Sequence, residues 1–304
     1  MNANPLIEAE AVSPEAAFAT PGQRVWRRFV RNRLNVAASG VVVALAVISL
    51  VFGIASMAKI PFPSDPNATS LESKLRPPSA AHWMGTDQLG RDVFSRVLHG
   101  SYISLTVGFV AVGVALGIGT VVGAISGYCG KWVDQVLMRA VDALMCFPTF
   151  FLILTAVALL GPSLWNIVIV IGLVSWTGTA RLVRAEFLTL REMEYVRAAR
   201  ALGQRAPAIV FRHILPNAAA PIFVTAVLGI PGAILTEAGL SFLGLGVQPP
   251  QATWGSIISD AKTYILDAWW LIAFPGAAIL IATLAFFLVG DGLRQSISTQ
   301  TERK

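Results

Sequence analysis

The sequence predicts an all-α, polytopic membrane protein, and three observations carry that prediction. Of the 304 residues, 55% are hydrophobic and 13% charged, about half the charged share of an average soluble domain. The apolar residues gather into runs of about 20, the length a helix needs to cross a hydrocarbon core of about 30 Å. The runs are also too long and too uniform for alternating barrel strands. In lipid a backbone must satisfy its own hydrogen bonds, which leaves the helix.

Six spans can be drawn, at 36–58, 101–127, 137–160, 164–181, 217–238 and 269–290. The first follows Arg24, Arg27, Arg28, Arg31 and Arg33. Its 23 residues exceed the apolar stretch of about 7–15 residues in a cleavable signal, so it reads as a retained anchor. With the amino terminus inside, 17 of the 23 Lys and Arg fall on the inner side and 6 on the outer. The positive-inside rule selects this orientation. The chain then divides into an inner tail at 1–35, the first span, an outer segment at 59–100, a core of five spans at 101–293 and an inner tail at 294–304. Both termini lie in the cytoplasm.

The net charge of +6 belongs to these topology-setting segments, so it does not point to nucleic acid. Cys129 and Cys146 have no metal-type spacing and imply no disulfide. In the second span Gly113, Gly117, Gly119, Gly123 and Gly127 recur at intervals that let helices approach closely, against a partner subunit or another span of the same chain. Asp142, Glu186, Glu237 and Asp291 lie in or at the ends of spans, and the first, second and fourth have Arg139, Arg184 and Arg294 nearby in sequence for local pairing. An ion-coupled carrier would need inverted repeats and a midplane charge, and neither is found.

No enzyme signature is present. Gly130-Lys131 has Ile125 where a phosphate-cradling loop needs glycine and Trp132 where it needs Ser or Thr. His82, His99 and His213 share no spacing for a metal or a nucleophile. No catalytic, cofactor or metal site is expected in this chain.

The inner segment EYVRAARALGQRAPAIVFRHILPN, from Glu194 to Asn217, carries the clearest functional signal. Tyr195 to Leu202 favours helix, Gly203 sits where a C-cap glycine belongs, and a second helix can start near Pro207 and run through Phe211 until Pro216 stops it. Small residues permit close approach, while Arg197 and Arg200 face an acidic surface or headgroups. The result is a docking knob.

Ala198-Ala199, then Gly203, then Leu215-Pro216 resembles the EAA loop of membrane subunits of bacterial ABC importers. Arg197 stands at the family's glutamate and His213 at its isoleucine. GTDQLGRDVFSRVLHGSYISL (Gly85 to Leu105), EAGLSFLGLGVQPPQATWGSIISDA (Glu237 to Ala261), FPGAAI and GDGLR are similar to the C-type permeases of dipeptide, oligopeptide and nickel importers. Leu89, Val93, Phe94, Val97 and Leu98 oppose Arg91, Asp92 and Arg96, which predicts a helix lying in the outer interface.

The resemblance implies a type I ABC importer permease fold with a cytoplasmic coupling helix, in the bacterial inner membrane. It implies a second, homologous permease subunit, two cytoplasmic ATPases that hold ATP and Mg, and an extracytoplasmic binding protein. The coupling residues it points to are Arg197, Ala198, Ala199, Gly203, His213, Leu215 and Pro216. Peptides are the implied cargo, with nickel chelates, glutathione or glycosides open. The segment from Glu237 to Ala261 is expected to fold back at the outer mouth, with Gln248, Trp254 and Asp260 contacting the binding protein or lining the entrance.

Overall fold

A computed structural model describes residues 21–58 and 60–298, and among these every long element is a helix. A short basic helix, α1 (Pro21–Arg31), leads into α2 (Arg33–Met57), where Asn32 caps the first turn by accepting from the Leu34 amide. Then come α3 (Val93–Cys129), α4 (Lys131–Met145), α5 (Thr149–Leu160) and α6 (Leu164–Leu190). The knob helix α7 (Glu194–Ala201) is followed by α8 (Ala206–Phe242), α9 (Trp254–Asp260) and α10 (Trp270–Ser298). Helices α2, α3, α6, α8 and α10 are each long and apolar enough to cross a membrane.

The remaining expected span, 137–160, is a broken one: α4 and α5 meet at 80° across Cys146 to Pro148. Pro148 has no amide hydrogen for the preceding turn, so the chain leaves α4 and restarts. Helix α3 is longer than drawn at its amino end, starting at Val93 and not at 101. No interfacial helix stands apart before it: Asp92 caps α3 by accepting from the Ser95 amide at 2.8 Å, and the helix runs unbroken from Val93. Val93 to Cys129 contains no proline, so no residue forces the helix to break.

Helices α3 and α6 approach each other closely along a glycine series. A Cβ at Gly119, Gly123 or Gly127 would come within 2.8 Å of an α6 backbone oxygen: those of Trp176, Ala180 and Arg184. This part of the glycine series therefore packs within the chain. Gly113 and Gly117 have no neighbour within 4 Å. Because lipid supplies no hydrophobic drive, such close backbone packing and polar ties hold the helices.

The principal tie is Arg184, which pairs with Asp134 through two guanidinium nitrogens, and Ser126 donates to the same carboxylate. One carboxylate thus joins α3, α4 and α6. Sequence proximity pointed instead to Glu186 for Arg184, but residues two apart face different sides of a helix. Likewise Asp142 accepts from Arg181 at 2.5 Å rather than from Arg139, whereas Asp291 does pair with Arg294, at 2.8 Å. Gly130 (φ 62°) and Lys131 (φ 48°) make the corner between α3 and α4. Arg191 closes that corner by donating to the Gly127 carbonyl at 2.9 Å, a cation on a helix carboxyl end.

Gly123→Leu is expected to lower the thermal midpoint of the detergent-purified chain, since overpacking costs about 1–3 kcal/mol even where neighbours can shift. Gly117→Leu in the same chain should leave the midpoint unchanged or raise it. Equal midpoints would show that α3 and α6 do not touch along this stripe.

Candidate functional site

Two places stand out, an exposed knob and a cavity, and α6 and α8 connect them. The first is the knob. Helix α7 ends in a Schellman turn: the Gly203 amide donates to the Arg200 carbonyl at 3.0 Å and the Gln204 amide to Ala199 at 3.1 Å. Gly203 has φ +77°, which explains why glycine stands there. Val196 and Ala199 point inward and join Val183, Phe187, Ile209 and Ile214 in a small apolar core. Arg197, Ala198, Gly203 and Pro216 remain exposed, and Leu215 packs against the edge of that core. Leu202 is 81% and Phe211 69% exposed, so the knob presents apolar as well as basic surface.

Two side-chain links brace it. His213 Nε2 lies 2.9 Å from Gln204 Oε1 across the corner. Arg197 donates to Glu192 at 3.0 Å, and that guanidinium holds the Glu192 carboxyl below the usual carboxylate range. Pro216 does not stop the second helix. A π turn at Val210–Ile214 passes directly into Leu215–Phe242, so Pro216 follows this wider turn within one continuous helix. The knob is thus the end of a membrane-length helix.

The second place is a cavity of about 320 Å³ between α3, α6 and α8. Ala111 and Ala115 line it from α3, Ser175, Gly178 and Thr179 from α6, and Thr225, Gly229 and Gly232 from α8. Its walls are mostly apolar, with Val112, Leu116 and Ile171 beside the hydroxyls and glycine backbone, and they carry no charge. Residue types this common leave no signature, so sequence reading did not find it.

At the end opposite the knob, the chain between α8 and α10 folds back as a cap. Thr253 starts α9 with a capping box, and its hydroxyl also donates to the fully buried Glu237 at 2.8 Å. Trp254 is 1% exposed, and its indole donates to the Val97 carbonyl at 3.0 Å. It therefore belongs to the interior of the cap and is unavailable for a surface contact. Gln248 and Asp260 line a smaller cavity in the cap. Asp87 accepts from Arg91 Nε at 2.6 Å, and Arg91 and Arg96 reach Asp260 at 3.3 and 3.5 Å. The arginines predicted to face the interface are buried, because the Asp87 and Asp260 carboxylates draw them inward.

Residues 119–302 match the family described as binding-protein-dependent transport system inner membrane component, and residues 20–78 match the N-terminal TM domain of oligopeptide transport permease C. The chain belongs to this permease family. The permease is 41% identical over 300 residues to a dipeptide transport system permease protein of Alkalihalophilus pseudofirmus, covering 97% of each chain. It is 40% identical over 293 residues to a glutathione transport system permease protein of Pectobacterium atrosepticum, covering 96% of this chain and 95% of the relative. A solved MetNI methionine ABC transporter in an inward-facing conformation shares the fold, with TM-score 0.52 at 16% identity over 66% of the permease and 95% of that chain.

Removing one partner from a buried ion cluster strands the other charges and costs about 3–5 kcal/mol. Asp87→Asn is therefore expected to lower the thermal midpoint of the purified permease markedly. Exposed Glu192→Gln should leave it nearly unchanged. A midpoint for Asp87→Asn equal to wild type would remove the ion cluster as a support of the cap.

Proposed function

We propose that this permease is half of the transmembrane pathway of an ATP-driven importer of small peptides. The other half is a second, homologous permease subunit. Two ATPases dock on the knobs from the cytoplasm, holding ATP and Mg²⁺, and an extracytoplasmic binding protein delivers cargo to the cap. The chain sits in the bacterial inner membrane with both termini cytoplasmic, the side to which the positive-inside rule assigns α1 and the knob.

One observation carries this reading: the two helices that end in the knob are two of the three that line the larger cavity. Val183 and Phe187 of α6, with Ile214, Ala218 and Ile222 of α8, form the knob's core, and a few turns further along the same helices present Ser175, Thr179, Thr225 and Gly229 to the cavity. A displacement of the knob therefore moves cavity walls as rigid bodies, which is how a ligand bound elsewhere biases access. Arg197, Ala198, Gly203, His213, Leu215 and Pro216 take part by shaping or presenting the docking surface. Ala199 anchors it to the core.

The cargo assignment rests on chemistry that the relatives' named substrates share. Dipeptides and glutathione both consist of amide-linked residues that bear different side chains, and a mostly apolar wall with scattered hydroxyls and glycine backbone takes them without selecting a charge. Nickel chelates would use the same machinery.

Gly203→Asp meets no atom within 4 Å but is strained at φ +77°. It is expected to leave membrane insertion intact and lower the thermal midpoint by only a few degrees, for a strain of about 1–2 kcal/mol, while substrate-stimulated ATP hydrolysis by the reconstituted complex falls at least about tenfold. Undiminished coupled hydrolysis would refute the docking role. Gly178 lines the cavity and has open space for a side chain. Gly178→Phe should therefore preserve assembly with the ATPases and abolish uptake of dialanine into proteoliposomes; normal uptake would place the pathway elsewhere.

A further inference from the structure

Beside the ion cluster of the cap lies the smaller cavity, of about 110 Å³, between the first turn of α3, the loop after α8, and α9. Arg96, Gln248, Ser256 and Asp260 line it. The Arg96 side chain is 3% exposed, so its guanidinium has almost no access to water. A buried donor without an acceptor is costly, and more so when charged. Yet Nε and Nη1 of Arg96 have no hydrogen-bond partner among the described residues.

The neighbouring carboxylates do not supply one. Asp87 Oδ2 lies 3.6 Å from Arg96 Nε but 2.6 Å from Arg91 Nε. Asp260 Oδ2 lies 3.5 Å from Arg96 Nη2 and 3.3 Å from Arg91 Nη2. Arg91 takes the better geometry in both cases, which leaves Arg96 as the cation with donors to spare, on a cavity wall. The hydroxyl donors on the wall are already used: Ser256 donates to the Thr253 carbonyl at 3.1 Å, Ser241 to Glu237 at 2.6 Å and Ser259 to the Phe242 carbonyl at 3.5 Å. Asp260 adds an acceptor to the same wall. A planar fork of N–H donors beside one acceptor suits a carboxylate that carries an N–H on the adjoining group. A bare anion would meet the Asp260 charge without that compensation.

We infer that this cavity binds the terminal carboxylate of a peptide, Arg96 donating to the carboxylate and the adjoining amide N–H donating to Asp260. The cavity is large enough for one end of a peptide, not its length, so it acts at the cap as an entry site distinct from the uncharged cavity between α3, α6 and α8. The source of the carboxylate rests on the peptide reading given above.

The test uses the purified, complete transporter without its binding protein, titrated with N-acetyl-dialanine or with the same compound amidated at its carboxyl end. Binding is read by saturation-transfer NMR and by thermal midpoint. N-acetyl-dialanine is expected to bind at least about tenfold more tightly than the amide. Arg96→Lys, which keeps the charge but loses the fork, should abolish that difference. Ser259→Phe, which fills the cavity and leaves all four charged residues in place, should abolish it too. Equal binding of acid and amide, or a difference that survives in both variants, would overturn the inference. So would the absence of any binding without the binding protein, which would assign the site to a carboxylate of that protein. Dialanine uptake by the reconstituted transporter is measured separately. Its failure would remove the peptide cargo, while the titration alone judges the carboxylate site.

Discussion

The approach of α3 to α6 is the constraint on which the other elements depend, because in lipid two helices gain little from burying apolar area against each other. What holds them is backbone proximity at Gly119, Gly123 and Gly127 and the forked Arg184–Asp134 pair with Ser126 on the same carboxylate. The pair also fastens α4, so the broken α4–α5 span is hung from the α3–α6 unit. Once α6 is fixed, its extension beyond the membrane length sets where α7 turns and where the amino end of α8 must pack.

The two ends of the bundle are built by opposite means. At the knob, a small apolar core of Val196, Ala199 and Ile214 supports a surface whose backbone and side chains stay open, including Leu202 and Phe211. That arrangement leaves a rigid base and an unfilled outer face. At the cap, polar groups face inward: Glu237 receives hydrogen bonds from Ser241 and Thr253, Trp254 donates to Val97, and Trp270 donates to the Thr86 carbonyl at 3.1 Å. Irregular chain survives at this depth because most of its polar groups find partners within the protein, Arg96 Nε and Nη1 and Glu237 Oε2 being exceptions. Between the two ends, α6 and α8 run continuously and leave an uncharged space beside α3.

Long apolar runs, the 17 to 6 split of basic residues and the glycine and alanine positions of the knob were readable directly, since each follows from length, charge count or local conformational preference. Gly203 is the clearest case, because a left-handed C-cap strongly favours glycine whatever surrounds it. Pairings were less readable. Asp142 and Arg184 found partners 39 and 50 residues away in sequence, and an apolar stripe with opposing charge at Leu89 to Leu98 described a buried ion cluster as well as an interfacial helix. Amphipathic periodicity reports that two faces differ, and the neighbours decide which face is inside.

By itself the sequence determined the helical class, five of the six membrane-length runs and a basic knob held by one glycine turn. These depend on solvent and on local backbone energetics. The tertiary structure alone decided that Pro216 lies within a continuous helix, that Trp254 is interior, that part of the glycine stripe serves α6, and that knob and cavity share two helices. Each of those turns on which distant segment fills the adjacent space, and helix periodicity carries no record of the neighbour's identity.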